Sequence, residues 1–259
     1  MPTMPAPIPL QTFSSDGVGI AYFDIGEGEP ILCIHGFAST AHINWVYPGW
    51  IETLTKAGRR VIAFDNRGHG ASEKLYDPAA YHTRIMAEDA RRLLDHLCLD
   101  RVDVLGYSMG ARITAFLAQR HPARVRSAVL GGLGIHLVEG VGLPESIADA
   151  LLAPSLEDVT DPQGRMFRAF ANQTRADRNA LAACIRGSRN EMTAEEAGEI
   201  QCPTLVAVGT KDKIAGAPEP LAALIPRGEA LDIPDRDHMP AVGDKIFKAG
   251  VVGFLGRRP

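Results

Sequence analysis

The five residues Gly106-Tyr107-Ser108-Met109-Gly110 constrain this chain more than any other stretch. They join a strand-like run, Val102–Leu105, to an amphipathic stretch, Ala111–Gln119, so they form the turn between a predicted strand and a predicted helix. A serine at that junction must sit on a tight, strained turn, which lifts its hydroxyl above the end of the strand. The flanking glycines remove side chains that would clash where strand and helix meet. A strand running straight into a helix is also the repeating unit of a parallel sheet covered by helices.

The rest of the chain repeats that unit. Strands are expected at Gly19–Ile25, Ile31–His35, Arg60–Phe64, Val102–Gly106, Val125–Leu130, Thr204–Gly209 and Ala230–Ile233. Several are unbroken apolar runs, as strands buried on both faces require. Amphipathic segments follow most of them. Glu88–Leu97 gathers Leu93, Leu94 and Leu97 on one side, and Gly110–Arg120 does the same with Ile113, Phe116 and Leu117 before His121-Pro122 stops it. The pattern predicts an α/β fold with a doubly wound, mostly parallel sheet.

The rhythm breaks once. Between Gly134 and Gln201 there is no convincing strand, but helix starts are expected at Pro144, Asp161-Pro162, Asp177 and Thr193, the last with Glu196 at capping-box spacing. A structureless loop of that length is implausible in a compact domain. The expectation is a small helical cap, 135–201, inserted into a core made of 1–134 and 202–259. With 259 residues the chain suits one such domain better than two.

A lone serine is a weak nucleophile and needs a base, itself held by a third group. In an architecture of this kind the chain order is serine, acid, histidine. Asp212 follows the run Leu205–Val208, and His238 follows Ala230–Ile233, so both lie just past consecutive strand ends. His238 is the only histidine after His136, which leaves the base with little competition. Asp212 is the first choice to hold the imidazole, with Asp235 and Asp237 as alternatives. An oxyanion would need preorganised donors, and the backbone N–H groups of Met109 and Phe37 are candidates, the latter in the turn His35-Gly36-Phe37. His35 is expected to brace that turn rather than act on substrate. In the run Asp65–Ser72, Asp65 and Arg67 are expected to pair across a tight loop that includes His69.

Other chemistries lack their signatures. His42, His82, His96, His121 and His136 show no shared ligand spacing, so no metal is implied. No GxGxxG or GxxxxGK[ST] follows a strand, so no nucleotide cofactor is expected. Asp and Glu number 31 against 27 Lys and Arg, which supplies no basic field for nucleic acid or an anionic membrane. No window holds the ~18 to 20 consecutive apolar residues that span a bilayer. The Pro-rich start, Met1–Leu10, lacks the basic and apolar regions of a signal peptide, so a cytoplasmic protein is expected. Cys33, Cys98, Cys184 and Cys202 form no CxxC pair, and inert buried thiols are expected, with Cys33, Cys98 and Cys202 in or beside apolar runs.

Taken together, His35-Gly36-Phe37, Asp65–Ser72, Gly106–Gly110, Gly209–Asp212 and His238 resemble the motif set of the α/β-hydrolase fold, over about Phe13 to Leu255. The resemblance implies a triad of Ser108, Asp212 and His238, oxyanion donors at Phe37 and Met109, and the helical cap. It departs in one place. Relatives usually carry a small residue, often Gly, directly before the histidine, where this chain has Asp237.

A serine nucleophile fits haloalkane dehalogenases and epoxide hydrolases poorly, because those relatives use a carboxylate. The reading is a serine hydrolase of small carboxylic esters. The alternatives are a lactonase such as an enol-lactonase, a cofactor-free haloperoxidase (perhydrolase), or a non-catalytic ligand-binding protein. Phe37, His42, Trp45 and Tyr107 are candidate pocket walls, with Trp45 and Tyr107 proposed to touch substrate. The insertion's six arginines lie between Arg165 and Arg189; a solvated helix face is the commoner explanation for such a cluster, an acidic substrate the other.

Overall fold

The computed structural model describes residues 8–140 and 143–258, so most of the Pro-rich start lies outside the described residues. Eight strands form one sheet: β1 (Gln11–Ser15), β2 (Val18–Ile25), β3 (Glu29–Ile34), β4 (Arg59–Phe64), β5 (Val102–Tyr107), β6 (Val125–Gly131), β7 (Thr204–Gly209) and β8 (Gly228–Ile233). Their order is β1-β2-β4-β3-β5-β6-β7-β8. β1 and β2 run antiparallel to their neighbours, and every pairing from β4 to β8 is parallel.

The helices are α1 (Trp50–Lys56), α2 (Thr83–His96), α3 (Met109–Arg120), α4 (Ser146–Leu152), α5 (Pro162–Thr174), α6 (Arg178–Gly187), α7 (Ala194–Gly198), α8 (Pro218–Leu224), α9 (His238–Ala241) and α10 (Lys245–Arg257). They cover both faces of the sheet, which the alternation along the central strands makes necessary. On β3, Leu32 and Ile34 join the cluster holding Leu93 and Leu94 of α2 and Ile113 and Phe116 of α3. Ile31 and Cys33 point the other way, into a cluster with Trp50 of α1 and Phe247 and Phe254 of α10. Both sides of a central strand are therefore apolar, and its sequence reads as an unbroken run.

β1 was not expected from the sequence. Its residues, QTFSS, are mostly polar, and it pairs only with β2 at the sheet's edge. The turn Asp16-Gly17, with φ of 53° and 84°, makes the tight hairpin that Asp-Gly favours. Strand β3 ends at Ile34, which leaves His35 in the turn rather than in the strand.

Between β6 and β7 the described chain forms no strand, and three of its four expected helix starts are occupied, while α4 begins at Ser146, two residues past Pro144. Asp161 caps α5 by accepting the Gly164 N–H at 2.6 Å, with Pro162 in the first turn. Asp177 caps α6, and Thr193 and Glu196 form a reciprocal capping box on α7. Among the described residues no helix is long and apolar enough to cross a membrane. The thiols of Cys33, Cys184 and Cys202 are free and buried, but Cys98 is exposed, contrary to expectation. It leaves α2 in a left-handed turn with φ of 53°, which lifts it off the apolar face.

Candidate active site

The turn between β5 and α3 has the strain that the sequence implies. Ser108 adopts φ 55° and ψ −114°, a region that a residue with a side chain rarely enters. A Cβ on Gly106 would lie 2.2 Å from the carbonyl oxygen of Gly110, and one on Gly110 would lie 2.0 Å from that of Ile34. Only glycine allows α3 to pack so closely against β5 and β3.

The parallel pairing of β7 with β8 brings their C-terminal ends side by side, so the loops leaving them meet beside Ser108. His238 opens α9, and its Nε2 lies 3.0 Å from Ser108 Oγ. Its Nδ1–H donates to Asp212 Oδ2 at 2.7 Å. A carboxylate only accepts, so this contact puts the ring proton on Nδ1 and leaves Nε2 free to accept from the serine. The other carboxylate oxygen, Oδ1, accepts the N–H groups of Ile214 and Ala215 at 2.8 and 3.1 Å, which anchors the acid against its own loop. Both side chains are shielded, Asp212 completely. The two alternative acids are engaged elsewhere. Asp237 accepts the backbone N–H of His238, and Asp235 pairs with Lys211 in solvent.

Met109 is the first residue of α3, so its N–H falls outside the helix's own hydrogen-bond ladder. Gly36 approaches the serine closely: a Cβ there would sit 3.4 Å from that of Ser108. Phe37 and Met109 both line a cavity at Ser108. Among the described residues neither N–H has a hydrogen-bond acceptor.

His35 holds this turn. Its Nδ1–H donates to Gly36 O at 2.7 Å and its Nε2 accepts the Asn66 N–H at 2.9 Å. Complete burial pushes its pKa down to about 4, and it pushes that of neighbouring His69, whose ring centroid is 5.2 Å away, down to about 3. Both rings are neutral braces. The expected pairing of Asp65 with Arg67 does not form. Asp65 instead accepts the N–H groups of Ala41 and Ala71, each at 2.8 Å, and Arg67 turns to Asp89 of α2 with bidentate contacts of 2.6 and 2.7 Å. The arginine side chain is too long to fold back across a loop this tight, and α2 offers a buried carboxylate at its natural reach.

Among the described residues, two cavities open on Ser108. The larger, about 210 Å³, is bounded by Phe37, Ile43, Tyr107, Phe167, Phe170, His238, Met239 and Val242 among others. The smaller, about 60 Å³, is bounded by Phe37, Met109, Arg112, Leu133, Ile185, Arg189 and Ile214 among others. Leu143 borders both. Tyr107 meets the larger cavity, although its hydroxyl donates to the His238 carbonyl. Trp45 does not meet either cavity. It is fully buried and packs edge-on against Trp50 at 6.0 Å, so its proposed contact with substrate is corrected. His42 is likewise occupied, hydrogen-bonded to the backbone of Ile8. Arg112 was missed. It lies one turn after Ser108 on α3, and that i+4 spacing is the signal that could have found it.

Residues 29–143 match the family model described as the alpha/beta hydrolase fold. A non-heme chloroperoxidase of Kitasatospora aureofaciens is 28% identical over 93% of this chain and 98% of its own. The dihydrolipoyllysine-residue acetyltransferase component of the acetoin cleaving system of Pseudomonas putida is 28% identical over 85% of this chain; the match spans 62% of that protein's length. Among solved structures, a hydrolase from Pseudomonas aeruginosa superposes with a TM-score of 0.77 at 27% identity, covering 95% of this chain and 98% of the other.

Proposed function

We propose that this chain, which belongs to the α/β-hydrolase superfamily, is a serine hydrolase of small carboxylic esters, with Ser108 as nucleophile, His238 as base and Asp212 as its orienting acid. The observation that carries the reading is the unbroken contact from Asp212 Oδ2 through the His238 ring to Ser108 Oγ, at 2.7 and 3.0 Å. Each partner faces the atom that its role requires.

The proposed reaction follows from that geometry. Ser108 Oγ attacks the ester carbonyl carbon and gives its proton to His238 Nε2. The carbonyl oxygen becomes an oxyanion between the N–H groups of Phe37 and Met109, which were oriented before the charge developed. As the carbon–oxygen bond to the leaving group breaks, the imidazolium passes that proton to the departing alcohol. Water then gives a proton to Nε2, adds to the acyl carbon, and the acid leaves as Ser108 recovers its hydrogen. Asp212 keeps the imidazole in one tautomer and stabilises the imidazolium without taking the proton.

The segment 135–201 is proposed as a cap over this chemistry. Leu143, Phe167, Phe170, Ile185, Ser188 and Arg189 all come from it and all border the cavities at Ser108. Excluding water there would strengthen every polar interaction with the oxyanion.

A second reading draws on the near full-length match to a chloroperoxidase. In a perhydrolase the acyl-enzyme is opened by hydrogen peroxide instead of water, and a peracid leaves. A lactone, an ester closed on itself, would open by the same steps as the ester.

The test is turnover of p-nitrophenyl butyrate by the wild type and by Ser108→Ala. Wild-type rates at least about 10³-fold above those of the variant are expected. Equal background rates in both would overturn the hydrolase reading and leave a ligand-binding protein. Adding acetate and hydrogen peroxide, with bromination of monochlorodimedone as readout, separates the perhydrolase: halogenation faster than ester hydrolysis would promote it.

A further inference from the structure

The two cavities at Ser108 differ in chemistry. His238 borders the larger one and not the smaller. Since the imidazolium must reach the leaving oxygen to protonate it, the alcohol half of an ester belongs in the larger cavity, among Phe167, Phe170, Met239 and Val242. The acyl half is then directed past Met109 into the smaller cavity.

That smaller cavity contains two cations. Arg112 comes from α3 and Arg189 from the proposed cap. Most other arginines of the 165–189 cluster have structural partners. Arg165 and Arg168 donate to backbone carbonyls near the end of α4 and after it, and Arg186 pairs with Asp149. Among the described residues Arg189 has only a 3.9 Å contact to Glu145, an exposed carboxylate, which leaves its charge weakly compensated.

Arg112 is the more unusual of the two. Among the described residues no carboxylate lies within ion-pair distance of it. Its Nη1 donates to the carbonyls of Asn190 at 2.6 Å and Leu137 at 3.3 Å, and its Nη2 to that of His136 at 3.0 Å. Those three bonds fix the guanidinium rigidly while leaving Nε–H and one Nη2 hydrogen uncommitted. Two of its five N–H donors therefore remain to meet an anion in the cavity that Arg112 borders. Glu191 is the other acid facing this end, close beside Gly140, and it is exposed.

We propose that the smaller cavity is a carboxylate subsite formed by Arg112 and Arg189, and that the substrates are half-esters of short dicarboxylic acids with an apolar alcohol. The free carboxylate would enter between the two guanidinium groups while the ester carbonyl rests at Ser108. This inference rests on the serine-hydrolase reading for the direction of the substrate, but the subsite can be tested without turnover.

The experiment measures binding of monobenzyl succinate and of benzyl succinamate, its uncharged amide counterpart, to the Ser108→Ala protein by calorimetry. The charged ligand should bind at least about 10-fold tighter, and adding Arg189→Gln should bring the two within about 2-fold. Arg189 is partly exposed, so its replacement leaves the fold intact; a circular dichroism spectrum checks this. Equal affinities, tighter binding of the amide, or a preference that survives Arg189→Gln would each overturn the subsite. Failure of the wild type to hydrolyse p-nitrophenyl butyrate would instead count against the hydrolase reading alone.

Discussion

His238 Nδ1 lies 2.7 Å from Asp212 Oδ2, across 26 residues of chain, while the adjacent Asp237 spends its carboxylate on the His238 backbone N–H. Two acids thus serve the same histidine in different ways. Asp212 orients its ring, and Asp237 caps the short helix that carries it.

That division predicts unequal losses. Asp212→Asn should lower kcat/KM for p-nitrophenyl butyrate by about 10⁴-fold at neutral pH, because an amide NH₂ at this position favours the wrong tautomer. Asp237→Asn retains a capping oxygen and should cost less than about 10-fold. Steady-state kinetics on both variants checks the assignment; the reverse order would place the orienting role on Asp237.

The strain at Ser108 predicts a gain in stability when the side chain is removed. With φ at 55° and ψ at −114°, the backbone strain is worth roughly 1–3 kcal/mol, against the ~0.5–1 kcal/mol entropic cost of glycine. Ser108→Gly should therefore be inactive and about 1 kcal/mol more stable, read from urea midpoints at constant slope.

The glycines on either side should behave in the opposite way. A methyl on Gly110 would meet the Ile34 carbonyl oxygen at 2.0 Å, and the obstacle is backbone rather than a movable side chain. Gly110→Ala should destabilise by more than about 3 kcal/mol, beyond the usual range of overpacking in a core. An unfolding midpoint within experimental error of the wild type would show that α3 can move away from β3.

The buried histidines predict a sensitivity to acid. His35 and His69 have their pKa values pushed down to about 4 and about 3 in the folded chain, against 6.5 when exposed. Below pH 6.5 the unfolded state takes up protons that the folded state refuses. The stability is fully present above that pH and is lost as it falls toward 4 and then 3. At pH 5 the loss is roughly 2 kcal/mol for each ring. Denaturant titrations at pH 7 and pH 5 should differ accordingly, and replacing His69 with Gln should flatten the difference by about half.

Features whose physics acts within a few residues could be read along the chain. The turn at Ser108 needs glycine on both sides, and Asp161, Asp177 and Thr193 each cap a helix through bonds to amides two or three positions on. The central strands were legible because burial on two faces leaves unbroken apolar runs, whereas β1 was not, since an edge strand with one buried face can be built from QTFSS. Which side chains meet depends instead on how the elements pack. Asp212, Asp235 and Asp237 all lie in loops beside His238, and only the register of β7 on β8 turns one of them to the ring. Arg67 reaches Asp89 rather than Asp65, and Trp45 packs against Trp50 rather than bordering either cavity at Ser108. Arg112 gains its place in the site from the facing of α3 toward the turn that begins the insertion and the loop that ends α6. Such pairings depend on the pleat of a strand, the phase of a helix and the twist between elements, which sum over the whole fold and leave no mark on neighbouring residues.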